Sequence, residues 1–135
     1  MMMESPVVYL EGEDIDPSTG GLLTPLKIPV FVMVQTNGCG HCKVAKPKYQ
    51  LAAEIDANRP GGPGAMWASI DLEDPNSRMA LQAMIKGGAV PEKIMAGVPC
   101  YFVIVRDVIL QYNGNRSTED LLAFVDNVSS SGMKH

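Results

Sequence analysis

The chain has 135 residues, 46% of them hydrophobic and 19% charged, which suits one globular domain built on a single apolar core. Eleven basic against fifteen acidic residues leave a net charge of −4, which argues against nucleic acid as the main partner. Three cysteines are too few for a disulfide-built scaffold, and the longest apolar run, Ile28 to Val34, cannot span a bilayer.

Pro6 to Leu10 reads as a short strand, followed by a polar loop with Asp16-Pro17-Ser18 and Gly20-Gly21. The first twelve residues carry no basic n-region and no long apolar stretch, so a cytoplasmic location is the default expectation. Ile28 to Val34 is nearly unbroken in its apolarity and predicts a central strand buried on both faces. It leads through Gln35-Thr36-Asn37-Gly38 into Cys39-Gly40-His41-Cys42. From Cys39 to about Ala57 the pattern turns helical, with Val44, Leu51 and Ile55 on one apolar face and Lys43, Lys46 and Lys48 mostly elsewhere. Pro47 falls inside this helix and is expected to bend it.

Asn58 to Gly64 is a loop, and Met66 to Asp71 is the next strand. The second helix has Asp74 as N-cap, Pro75 at its first position, Leu81, Met84 and Ile85 as its stripe, and Gly87-Gly88 at its end. An irregular stretch runs to Val98-Pro99. Tyr101 to Val105 and Val108 to Tyr112 form a hairpin pattern, although Arg106-Asp107 lacks the glycine that tight turns favour. Ser117 opens the last helix with Asp120 in a box-like position, and Leu121, Val125 and Val128 line its inner face. Residues 129–135 read as a frayed tail, so the core of one domain over 1–135 is expected to span about 7–128.

Two thiols three positions apart at the first turn of a helix can close a small, strained, easily reduced ring. The helix makes them unequal. Cys39 sits over the free N–H groups and the positive dipole end of the helix start, which favours its thiolate. Cys42 lies one turn in, shielded, ready to attack a mixed disulfide formed by Cys39. A C-x-x-C in a βαβ setting is a sign of thiol–disulfide chemistry. Half a zinc site is the competing reading, but it needs two further ligands, and the candidates are His41, His135 and Cys100.

The element order β–loop–β–α–β–α–β–β–α, with its C-x-x-C at a strand-to-helix junction, resembles the thioredoxin fold, an α/β architecture with a central mixed sheet flanked by helices. Gly38-Cys39-Gly40-His41-Cys42-Lys43, with Pro47 five residues on, is similar to the catalytic domains of protein disulfide isomerases. The resemblance implies that Val98-Pro99 is the cis-proline pair facing the dithiol, with the Val98 backbone aligning an extended substrate. It also implies that Arg116, at the isomerase spacing from Tyr112, swings inward to favour the Cys42 thiolate; the alternative is a plain surface arginine. His41 and Gly40 form the insert, in which the imidazole either stabilises the Cys39 thiolate or is a solvated turn residue. Cys100 is a small apolar strand residue or a regulatory or metal-binding thiol.

Two positions depart from the family pattern. Met33 stands where the family carries a buried acid that takes the Cys42 proton, and Gly38 stands where it carries tryptophan. The stretch 88–97 is longer than usual, and Ile94 and Met95 are expected near the substrate groove.

The implied function is reduction, formation or isomerisation of protein disulfides through a Cys39–Cys42 redox disulfide, without metal or organic cofactor. The implied partners are disulfide- or thiol-bearing polypeptides and a recycling reductase or oxidase, with no nucleic acid, no membrane and a monomeric chain. A glutathione-coupled, glutaredoxin-like enzyme and a non-enzymatic binding or chaperone module on the same fold remain open.

Overall fold

In the computed structural model, residues 1–106 and 108–133 are described. The strand expected at its centre is β2 (Val30–Gln35), whose six residues are all buried. β1 (Val8–Tyr9) and β3 (Met66–Asp71) lie on one side of it, β4 (Cys100–Val105) and β5 (Val108–Tyr112) on the other, in the order β1-β3-β2-β4-β5. β1 and β2 both pair parallel with β3, whereas β2–β4 and β4–β5 are antiparallel. The sheet is mixed, as expected.

Because strand side chains alternate between faces, β2 feeds two cores. Val30, Val32 and Val34 join Ala80, Leu81 and Met84 of α2 (Pro75–Lys86). Phe31 and Met33 join Ala45, Tyr49, Ala52 and Ala53 of α1 (Gly40–Ala57), with Leu121 and Val125 of α3 (Thr118–Met133). Helices therefore cover both faces. The Tyr49 hydroxyl lies 2.7 Å from the carbonyl oxygens of both Phe31 and Ala68, so the phenol of α1 is satisfied inside the sheet face.

The inner face of α1 differs from the sequence expectation. Val44, Leu51 and Ile55 are exposed (62%, 49% and 42%), and the helix instead buries Cys42, Ala45, Lys46, Tyr49, Gln50, Ala52, Ala53 and Asp56. Small alanines let the helix approach the sheet closely, and the one large aromatic side chain, Tyr49, fills the gap they leave. The helix runs continuously through Pro47.

α2 follows expectation. Asp74 Oδ1 accepts from Asn76 N–H at 3.0 Å, Pro75 starts the helix, and Gly87 ends it. Gly87 is pressed against the loop after β1: a Cβ there would lie 2.2 Å from Gly20 N, and Gly20 itself has φ +75°. Backbone packed on backbone cannot yield as a side chain can. Gly87→Ala is therefore expected to cost about 1–3 kcal/mol of stability, read from urea unfolding.

The turn between β4 and β5 compensates for its missing glycine by placing Arg106 at φ 56°; Asp107 lies outside the described residues. The irregular stretch contains a 3-10 turn, Glu92–Ala96. Ser117 Oγ accepts from Asp120 N–H at 3.2 Å, as its box-like position predicts. α3 then continues to Met133 rather than ending near 128, and Lys134 and His135 lie outside the described residues. No described helix is long and apolar enough to cross a membrane.

Candidate active site

β2 ends at Gln35, and three residues, Thr36, Asn37 and Gly38, carry the chain to Cys39, the N-cap of α1, whose backbone is extended at φ −97° and ψ 120°. This cap places a sulfur where a serine or aspartate oxygen would ordinarily sit: Cys39 Sγ accepts from Cys42 N–H at 3.2 Å. The Cys39 thiol in turn donates to the Val98 carbonyl at 3.4 Å. The Val98–Pro99 peptide is cis, as the resemblance implies, and the loop before β4 meets the helix start through this contact. Cys39 is half-buried and Cys42 fully buried, and Cys39, Cys42 and Cys100 are all free thiols.

The electrostatics separate the two sulfurs. Cys39 is held below the ordinary thiol range, first by the hydrogen bond from the Cys42 side chain, then by the backbone N–H groups of Cys42 and His41 and the charge of Arg116. Burial opposes these and is outweighed. Cys42 is pushed up to about 11, chiefly by burial, then by donating to Cys39; the Thr36 backbone and the Lys46 charge pull the other way. Cys39 is therefore the more acidic thiol of the pair and Cys42 the less acidic.

This asymmetry has a direct readout. At pH 7 a thiol with a pKa of about 11 is thiolate in about one molecule in ten thousand. Iodoacetamide is thus expected to modify Cys39 first near neutral pH, with an onset below that of a free cysteine. Labelling of Cys42 should climb about tenfold per pH unit until about pH 11. Peptide mapping after timed alkylation checks both, and prior labelling of Cys42 would reverse the order.

The other expected site residues fall around this pair. His41 is exposed and acts on Cys39 through its backbone N–H, with Gly40 equally open beside it. Arg116 is exposed and donates from Nη2 to the Pro99 carbonyl at 3.3 Å. Its charge bears on Cys39, Cys100 and Tyr101 rather than on Cys42. Cys100 is partly buried against the α2 core, donates to the Ile94 carbonyl at 3.2 Å, and is pushed up to about 11 by burial. Among the described residues, no group of three or more His, Cys, Asp or Glu could hold a metal.

Met33 is fully buried opposite Tyr101, so its strand offers the dithiol no carboxylate. Gly38 is open: among the described residues, a Cβ built there would come near only Glu73 Oε1, at 4.0 Å. Ile94 is 5% exposed and belongs to the α2 core, so it cannot supply a substrate contact surface; the Met95 side chain lies outside what is described. Sequence reasoning also missed Lys46, which it placed off the buried face. The signal was its spacing, four residues after Cys42 and hence on the same helix face.

No family model matches the chain. The thioredoxin-like protein 453L of Invertebrate iridescent virus 6 is 30% identical over 125 residues, covering 87% of this chain and 83% of that protein. Protein disulfide-isomerase 1 of Dictyostelium discoideum is 26% identical over 133 residues, which cover 97% of this chain and 32% of the isomerase, about a third of its length. Among solved structures, the first thioredoxin domain of mouse protein disulfide-isomerase A4 aligns with a TM-score of 0.56 at 25% identity, over 75% of this chain and 63% of that one. Human ERp44 form I aligns with a TM-score of 0.64 over 94% of this chain and 30% of its own; at 17% identity that likeness concerns the fold. With the fold, the helix-capping cysteine and the relative of comparable length in agreement, the chain belongs to the thioredoxin-like proteins.

Proposed function

We propose that this protein is a thiol–disulfide oxidoreductase acting on polypeptides. The observation that carries the reading is the position of Cys39 Sγ, which caps α1 through Cys42 N–H and touches the Val98 carbonyl. A low-pKa sulfur beside an open backbone edge suits attack on a disulfide in an extended chain, whose own N–H groups can pair with that edge. Cys39 thiolate attacks the substrate disulfide and forms a mixed disulfide. Cys42 then attacks Cys39, closing the Cys39–Cys42 disulfide and releasing reduced substrate. Run in reverse, the same steps oxidise or isomerise.

His41, through its backbone, and Arg116, through its charge, hold the Cys39 thiolate in this scheme, and Val98 and Pro99 align the substrate. The partners are thiol- or disulfide-bearing polypeptides, together with a reductase or oxidase that resets the dithiol. Direction follows potential. An isomerase-like potential near −180 mV against a cytoplasmic poise of about −220 mV keeps such a dithiol about twenty-fold reduced. In a reducing compartment the protein then works as a reductase.

Insulin reduction with dithiothreitol as electron source tests the reading. The parent is expected to precipitate the insulin B chain faster than dithiothreitol alone. No acceleration, with no mixed disulfide trapped by Cys42→Ser, would overturn it.

A further inference from the structure

Lys46 lies one turn beyond Cys42, and helical side chains lean back over the turn before their own Cα. Its Nζ donates to Asn37 Oδ1 at 2.8 Å and to the Met1 carbonyl at 3.3 Å, so the ammonium is carried back toward the helix start. The residue is 1% exposed. Both acceptors are neutral. Among the described residues the ion pairs are those of Arg59 with Asp56 and Asp126, so no carboxylate is paired with Lys46.

This is an unfavourable place for a cation. Burial strips its hydration, and the helix start already presents the positive end of the dipole. Two neutral acceptors offset only part of that. A negative charge arising close by would offset the rest, and Cys42, buried on the same helix face one turn earlier, is a group that acquires one during turnover. Met33 leaves the same thiol without a buried acid.

We infer that Lys46 is a positioning residue that stabilises the Cys42 thiolate in the resolving step, in place of the carboxylate absent at Met33. The inference rests on the oxidoreductase reading. In the mixed disulfide, Cys42 gives its proton to solvent, and the thiolate forms beside the Lys46 ammonium. It attacks Cys39 Sγ; the Cys39–Cys42 bond forms and the bond from Cys39 to the substrate sulfur breaks. The substrate sulfur leaves as thiolate and takes a proton from solvent. Two electrons have passed from the dithiol to the substrate disulfide, and no proton is routed through Lys46.

The charge on Cys42 is felt by Cys39 at the helix start and by Cys100 and Tyr101 of β4, Arg116 ahead of α3 acts on those three, and His41 lies between the two thiols. Glu73 is linked more remotely, accepting from Asn37 N–H at 3.2 Å. Lys46 is the cation whose charge lowers Cys42, whereas Arg116 lowers Cys39.

The test uses a Cys39→Ser, Cys100→Ser background, in which Cys42 is the sole thiol, and follows iodoacetamide labelling from pH 7 to 11. Lys46→Gln keeps a donor for Asn37 and loses the charge. It is expected to slow labelling at pH 8 about tenfold and move the profile up by about one pH unit. Lys46→Arg keeps the charge and is expected to stay within about twofold of the parent. Lys46→Met replaces the Gln variant if that fails to keep the near-ultraviolet circular dichroism of the parent, with the same expectation. An unchanged profile without the charge, or an Arg variant displaced as far as Gln with its fold intact, would overturn the inference. Insulin turnover by the parent decides the oxidoreductase reading separately, since the labelling requires no turnover.

Discussion

Cys39→Ser is expected to lower insulin reduction by at least about a thousandfold, the scale on which loss of an attacking nucleophile acts. A serine hydroxyl can still cap α1 by accepting from Cys42 N–H, so the fold should survive and the loss should be chemical. Cys42→Ser is expected to behave differently. It keeps the acidic sulfur exposed to substrate and removes the one that releases it, so substrate should accumulate as a Cys39 mixed disulfide. Non-reducing electrophoresis with mass spectrometry of the linked peptides distinguishes the two. Adducts that map to Cys42 in a Cys39→Ser protein would invert the assignment of attacking and resolving thiols.

The largest structural effect is expected far from the dithiol, at Asp56 near the end of α1. Its carboxylate is fully buried and accepts from Gly64 N–H at 3.0 and 3.1 Å, Ala65 N–H at 3.1 Å and the Trp67 indole at 2.8 Å. Arg59, which also pairs with Asp126 of α3, comes within 3.5 Å of it. One side chain thus holds the helix end, the glycine-rich loop and the start of β3 together. Asp56→Ala leaves those donors without an acceptor and is expected to cost about 3–5 kcal/mol. The melting temperature should fall by roughly 10 °C or more. Asp56→Asn keeps one acceptor oxygen and should cost less. A loss below about 1 kcal/mol for Asp56→Ala would mean that water replaces the carboxylate there.

The strands and α2 were legible in the sequence because apolar runs and capping residues carried them: Val30 to Val34, Met66 to Asp71, and Asp74-Pro75 with Leu81 and Met84. The dithiol and Val98-Pro99 were legible as motifs, and the contact between Cys39 and Val98 joins them. α1 was misread for a physical reason. Its buried side is made of Ala45, Ala52, Ala53 and Tyr49 together with Lys46, Gln50 and Asp56, whose polar ends find partners out of reach of any local pattern. Periodicity weighs bulk and polarity, so it selected Val44, Leu51 and Ile55, which face solvent. Met3, 3% exposed, was missed because the N-terminal segment packs on α1 through contacts such as Gln50 Oε1 accepting from Glu4 N–H at 2.8 Å.

The alternation along β2 also divides the molecule optically. Phe31, Tyr49, Trp67 and Tyr101 are buried on the α1 and α3 side, with Tyr9, Tyr112 and Phe124 packed against them; the Trp67 ring centroid lies 5.2 Å from that of Phe31 and 5.1 Å, edge-on, from that of Tyr49. The α2 side holds a single aromatic, Phe102. Tryptophan emission and the near-ultraviolet spectrum therefore report one layer of the protein and are nearly blind to the other. A loosening of α2 from the sheet would pass unseen by fluorescence and show only in far-ultraviolet ellipticity or amide exchange. An unfolding curve drawn from Trp67 alone records the whole molecule only if the two layers unfold together, and a second probe on the α2 side tests that.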